Sequence, residues 1–187
     1  MSARSPALWT FVFSLVVPFP VTLVIPWAIT GWRFDEPFLG WPMTRGMGAA
    51  AALVGLPLLA ENLWRFARVG RGTPSPLMPT ESLVTNGAYR FVRNPMYVGA
   101  VLVVLGQAVM FASLAALFYG GALACAFHLT VLLYEEPTLR KRHGMAYARY
   151  RERVPRWVPR MTPWAPPESR WCPNLTGPAA APLHPSS

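Results

Sequence analysis

Two short polar segments of this chain hold the side chains able to do chemistry. The first, SLVTNGAYRFVRNPMYVG from Ser82 to Gly99, gathers Tyr89, Arg90, Arg93, Asn94 and Tyr97 into one stretch. The second, from Glu135 to Pro159, reads EEPTLRKRHGMAYARYRERVPRWVP and opens on paired carboxylates. Between them, Met96 to Tyr134 carries no charged residue, and its strongly polar side chains are Gln107 and His128. If that apolar run folds as a membrane hairpin, both motifs emerge on the same face and can build one site.

In the first motif, Thr85-Asn86-Gly87 is a turn signal and Pro95 suits the first turn of a helix. Free backbone N–H groups at that helix start, with Arg93 beside them, form a seat for a carboxylate or phosphate. A plainer reading is a membrane-entry anchor, with arginines at headgroup level and Tyr97 in the aromatic belt. The second motif adds weight to chemistry. Glu135 and Glu136 are expected to end the fourth helix, where carboxylates beside an apolar span are costly without a partner and the macrodipole disfavours them. A cation should answer them: Arg90 or Arg93 within the protein, or a cationic group of a ligand.

The elements that position these residues follow from hydropathy. As a single helix the Met96–Tyr134 run would be roughly 58 Å long, nearly twice the hydrocarbon thickness of about 30 Å, so it must fold back on itself. The expected turn lies at Ala112 to Ala115, with Ser113 capping the second limb and each limb roughly 17 to 20 residues long. Gly120-Gly121 is the other possible turn, but it leaves a short second limb. Two further apolar runs, Ala7 to Thr30 and Met47 to Leu63, give four crossings in all; the first is read as a retained helix made irregular by Pro18, Pro20 and Pro26.

Composition places the chain in the membrane class. Charged residues are 13% and hydrophobic ones 53%, against about 25% charged in a soluble domain. Arg65, Arg68, Arg71, Arg90 and Arg93 lie between the second and third runs, and a denser basic cluster from Arg140 to Arg160 follows the fourth. The first loop, Gly31 to Thr44, sets Arg33 against Asp35 and Glu36. The positive-inside rule then puts both termini and the motifs in the cytoplasm. The net charge of +9 belongs to this asymmetry and to anionic headgroups, not to a nucleic-acid footprint, which would stripe a soluble face. Cys125 and Cys172, with His128, His143 and His184, have neither disulfide-framework nor metal-ligand spacing, and His128 is expected to be a packed, hydrogen-bonded residue.

Beyond the glutamates, Pro137 is expected to begin a new helix. Leu139, His143, Tyr147, Tyr150 and Val154 follow spacings of three and four, opposite a face of Arg140, Lys141, Arg142, Arg149, Arg151 and Arg153. Such a helix either lies on an anionic surface or covers the site between the motifs, and Gly144 interrupts it. The chain thus divides into a membrane domain, residues 1–162, with site motifs at 82–99 and 135–158, and a Pro-rich tail, 163–187, expected to be flexible. The fold class is all-α integral membrane, with about four transmembrane helices including a C-terminal hairpin, plus a cytoplasmic amphipathic helix.

GAYRFVRNPMYVG, an apolar hairpin and then EExxLxxxxGxxYxxYxxxVPRW together resemble the isoprenylcysteine carboxyl methyltransferase and phospholipid methyltransferase family of integral membrane enzymes. Several separated elements recur in order, which makes the likeness specific; it covers roughly the last half of the ordered chain, and the first two helices match only in hydropathy. The resemblance implies S-adenosylmethionine as cofactor and a pocket lined by Ser82, Leu83, Val84, Tyr89, Asn94, Pro95, Met96, Tyr97 and Glu135. The departures are Asn94 where the family often has His, His143 where Phe usually precedes Gly144, and Val131 in place of an Arg associated with substrate in the eukaryotic prenyl-protein enzymes. The last weakens the case for a prenylcysteine carboxylate as acceptor.

S-adenosylmethionine carries a sulfonium, an ammonium and a carboxylate, so its pocket needs both signs. Glu135 or Glu136 would take the ammonium or ribose, Arg93 or the helix-start amides the carboxylate, and Tyr89 or Tyr97 would stack on adenine or face the sulfonium. Arg93 and Glu136 are the expected catalytic residues, Glu136 serving as base should the nucleophile be an amine or thiol. The acceptor would be small or lipid-like and enter laterally from the membrane. Two other classes stay open: an NADPH-dependent sterol or enone reductase, and a non-catalytic membrane interaction protein whose Arg and Glu groups simply pair.

Overall fold

The structure is a computed structural model that describes residues 18–69, 83 and 85–165. Among these the regular elements are all helical: α1 (Pro20–Thr30), α2 (Met43–Val69), α3 (Pro95–Met110), α4 (Leu114–Thr130) and α5 (Glu136–Arg153), with 3-10 turns at Phe38–Gly40 and Gly87–Arg90. Residues 7–17 of the expected first helix, Arg71, Ser82, Val84 and residues 166–187 of the tail lie outside the described residues.

The prolines shape α1. Its first half, Pro20–Val24, is π-helical and its second, Ile25–Thr30, is α-helical. Pro26 has no N–H, so the carbonyls it would serve, that of Val21 in the π register and that of Thr22 in the α register, lose their donor. Tyr119 on α4 donates its hydroxyl to Val21 O at 2.9 Å, and Gln107 on α3 donates Nε2–H to Thr22 O at 2.7 Å. The polar outlier of the α3 run is therefore a buried plug for a proline-freed carbonyl.

Helices α2 and α3 form the most extensive pairing. It depends on glycine: a Cβ on Gly55 would stand 2.7 Å from Gly99 O, and one on Gly106 would stand 2.6 Å from Gly48 O. Glycines seven residues apart on each helix thus let two backbones run antiparallel in near contact. Large apolar side chains point outward instead, among them Leu53 on α2, Phe118 on α4 and Leu133 beyond it.

The chain turns at Phe111–Ser113, where Ala112 has a positive φ and Ser113 Oγ accepts from Ala116 N at 3.2 Å to cap α4. Gly120 and Gly121 lie inside α4. Among the described residues two helices are long and apolar enough to cross a membrane, α2 over Met43–Arg65 and the continuous helix Leu114–Arg153; α1 and α3 are apolar but shorter.

One expectation is corrected. The fourth helix does not stop at the glutamates; it runs through a π turn, Val131–Glu135, directly into α5. Pro137 is the reason: its ring would strike the carbonyl one α-helical turn back, and widening the preceding turn, with the Glu136 N–H bonded to Val131 O, relieves the clash without ending the helix. Glu136 therefore sits in the first turn of α5 rather than at a helix C-terminus, and the macrodipole no longer opposes it. The break comes later, at Gly144, whose φ of 47° and ψ of −122° fold α5 back on itself.

Candidate functional site

Three parts of the chain converge where α2, the first motif and the α4–α5 junction meet. Gly87 has φ +62°, and a Cβ there would lie 2.3 Å from the Arg65 guanidinium carbon. The positive φ favours glycine at this turn, and the Arg65 side chain at the end of α2 lies against its open face. Arg65 is itself held by Glu61, one helical turn earlier, at 2.7 Å.

The two glutamates, adjacent in sequence, have different surroundings. Glu136 is buried, 8% exposed, and receives Arg93 Nη1 at 2.9 Å and Arg156 Nε and Nη2 at 2.6 and 3.0 Å. Both of its oxygens are engaged by guanidinium groups. Glu135 instead accepts a hydrogen bond from the Tyr97 hydroxyl, and Tyr97 stacks on Phe127 with ring centroids 4.4 Å apart. The cation expected to answer the carboxylate pair thus includes Arg93, as anticipated. Arg90 is used elsewhere, donating to Trp164 O at 2.7 Å.

Tyr89 lies in the 3-10 turn over this centre. Burial pushes its hydroxyl well above the usual range, the Glu135 carboxylate adding to the shift and Arg65 opposing it. Tyr89 and Glu135 therefore share one electrostatic environment although 46 positions separate their numbers. Arg93 has a buried Nε without a hydrogen-bond partner. A buried guanidinium N–H left unpaired is costly, and it is a donor in reserve for an anion.

The segment after α5 closes over the first motif as an antiparallel strap. Arg93 N donates to Pro155 O at 2.9 Å, Arg160 N to Phe91 O at 3.0 Å and Trp164 N to Arg90 O at 2.9 Å. Asn94 Nδ2 donates to Arg156 O at 3.3 Å, and Trp157 Nε1 to His128 Nδ1 at 3.0 Å. His128 is thus packed and hydrogen-bonded, and Asn94 keeps a polar contact. The docked segment reaches Trp164, in the part assigned to the tail by composition.

The apolar positions of α5 face this assembly. Tyr147, Tyr150 and Val154 form a buried cluster against which Leu83, Leu139 and Trp164 pack, and Tyr150 donates its hydroxyl to Tyr89 O at 2.7 Å. Of the two positions open to this helix, its apolar side takes the one covering the first motif. His143 is pushed down from its usual range by burial and by Arg142, and its buried Nε2 has no partner.

Of the expected site residues, the structure brings Tyr89, Arg93, Asn94, Tyr97, Glu135 and Glu136 to one place. Pro95 is buried at the start of α3 and Met96 is half-buried beside it. Leu83 lies with the α5 cluster. Sequence reasoning passed over Arg156, Trp157 and Arg65. The VPRW run held a signal for the first two, a basic and an aromatic residue after a proline; Arg65 had only its helical spacing from Glu61. Among the described residues no group of acidic, His and Cys side chains is arranged to hold a metal.

The sequence profile of the phospholipid methyltransferase family matches residues 43–146, more than half of the chain. The match begins at α2, earlier than the motifs alone indicate, and ends within α5. No curated protein sequence and no solved structure matches the chain.

Proposed function

The chain belongs to the phospholipid methyltransferase family, and from this we propose that it transfers a methyl group from S-adenosylmethionine to a lipid-like or small hydrophobic acceptor that partitions into the membrane. The observation that carries the reading is the pairing of opposite signs at one place: Glu135, bonded only by Tyr97 among the described residues, and Arg93, with a buried donor unspent. A ligand bearing both an ammonium and a carboxylate meets those two needs together.

In this reading Glu135 and Tyr97 hold the cationic end of the cofactor, and Arg93 Nε with the amides at the start of α3 holds its carboxylate. Tyr89, Leu83, Asn94, Pro95 and Met96 would wall the pocket; Ser82 and Val84, expected there from the family resemblance, lie outside the described residues. When bound, S-adenosylmethionine supplies a methyl group already activated by its sulfonium. The protein then has to align the acceptor in line with that methyl and keep water out, which the α5 fold and the strap serve. Glu136, gripped by two guanidinium groups, acts as a positioning residue that ties the strap to the junction. A carboxylate acceptor needs no base.

The membrane arrangement follows the same reading: α1 to α4 as four crossings, α3 and α4 as the hairpin, and both termini with the site in the cytoplasm. The catalytic unit is residues 1–162, followed by the Pro-rich tail. Calorimetry of the purified protein should detect micromolar binding of S-adenosylmethionine or its demethylated product, and weak or no binding of NADPH. Tight NADPH binding without adenosylmethionine binding would replace this reading with the reductase.

A further inference from the structure

The fold of α5 creates a second feature, a cleft whose lining includes neither Tyr97 nor Glu135. On an unbroken helix Arg140 and Arg151 would stand roughly 16 Å apart along the axis. The reversal at Gly144 instead puts Arg140, Lys141 and Arg151 around one open cleft of about 420 Å³, with Leu132, Pro137 and Glu136 completing its wall. The Glu136 charge is already met by Arg93 and Arg156. Among the described residues no carboxylate lies within ion-pair distance of Arg140, Lys141 or Arg151. Three cations therefore face one concavity whose lining carboxylate, Glu136, is already held by Arg93 and Arg156.

The position of the cleft narrows its ligand. Leu132 belongs to the last turns of the apolar helix, next to outward-facing Leu133, so one side of the cleft is apolar and the other strongly basic. Two guanidinium groups and an ammonium suit an oxyanion with several acceptor oxygens, and an apolar side suits an attached acyl chain. We propose that this cleft binds the phosphate group of an anionic phospholipid at a place distinct from the methyl-transfer site. The assignment stands whether or not the methyl acceptor is itself a phospholipid.

The test uses the full chain in detergent micelles, titrated with short-chain phosphatidic acid and, in separate arms, with phosphatidylcholine of the same chain length and with inorganic phosphate, binding being read by native mass spectrometry. One equivalent of phosphatidic acid should bind to the wild type, with inorganic phosphate at least ten-fold weaker. The double variant R140Q/R151Q should lose ten-fold or more. R149Q/R153Q removes the same charge from positions that do not line the cleft and should stay within two-fold of wild type. G144A, which disfavours the reversed backbone, should also lose binding. Equal losses in the two double variants would reduce the effect to diffuse surface attraction and overturn the site. Inorganic phosphate binding as tightly as the lipid would overturn the lipid assignment. Affinity for S-adenosylhomocysteine, measured on the same R140Q/R151Q preparation, should be unchanged; its loss in the wild type as well would count against the proposed methyl transfer and not against the cleft.

Discussion

Arg156 grips Glu136 through two hydrogen bonds, Nε to Oε1 at 2.6 Å and Nη2 to Oε2 at 3.0 Å, while Arg93 reaches the same carboxylate from the start of α3. A buried carboxylate shared by two guanidinium groups from separate segments joins the strap, the first motif and the helix junction. Glu135, one residue earlier, takes no part in that knot.

The glutamates should therefore respond oppositely to the same substitution. Glu136→Gln leaves Arg93 buried with a weakened partner and should lower stability by on the order of 3 kcal/mol, with cofactor affinity changed less. Glu135→Gln should leave the melting temperature near wild type and weaken adenosylmethionine binding by about ten-fold to a hundred-fold, the cost of roughly 1.5 to 3 kcal/mol for one charge-assisted hydrogen bond. Thermal melts and calorimetry on one detergent preparation read both. The reverse pattern would exchange the two roles.

The α2–α3 crossing should be intolerant of a single methyl. Gly55→Ala places a Cβ against the Gly99 carbonyl and Gly106→Ala places one against Gly48, so each should cost about 1 to 3 kcal/mol through overpacking. Gly121→Ala, in α4 with nothing within 4 Å of the added carbon, should be neutral. Melting temperatures of the three variants decide it, and equal tolerance would argue against the close crossing.

Tyr89 gives the expected alkaline behaviour a sign. Its folded-state pKa is raised, first by burial and then by Glu135, so the folded protein holds this proton more tightly than the unfolded chain. Its contribution to stability is complete below the unfolded tyrosine value of about 10 and declines as pH rises beyond it. Tyr89→Phe should flatten the loss of stability above about pH 10, as followed by denaturation at stepped pH. An unaltered slope would show Tyr89 to be solvated.

Reporter fusions test the membrane arrangement. A tag after Gly40 and one at the C-terminus should report opposite sides, the first outside and the second cytoplasmic. Both on one side would remove a crossing and separate the motifs from a common face.

The sequence alone determined that the described elements are helical, where α3 begins and where the chain turns into α4, and that the two motifs belong together, because hydropathy, Pro95 and the Ser113 cap are local and the uncharged run between the motifs is too long for a single crossing. It also carried the family, since GAYRFVRNPMYVG and the glutamate pair keep their spacing. Tertiary structure decided which glutamate the arginines hold. Residues 135 and 136 are indistinguishable in composition, and what separates them is Arg156 arriving on a strap whose path depends on backbone bonds to Phe91, Arg90 and Arg93. It also decided that the helix passes through the glutamates and reverses at Gly144, since a proline signals a helix start or a π turn equally well and a lone glycine does not announce its φ. The glycines at 48, 55, 99 and 106 are regular in spacing, yet only the neighbouring backbone, closer than any Cβ allows, shows why nothing larger stands there.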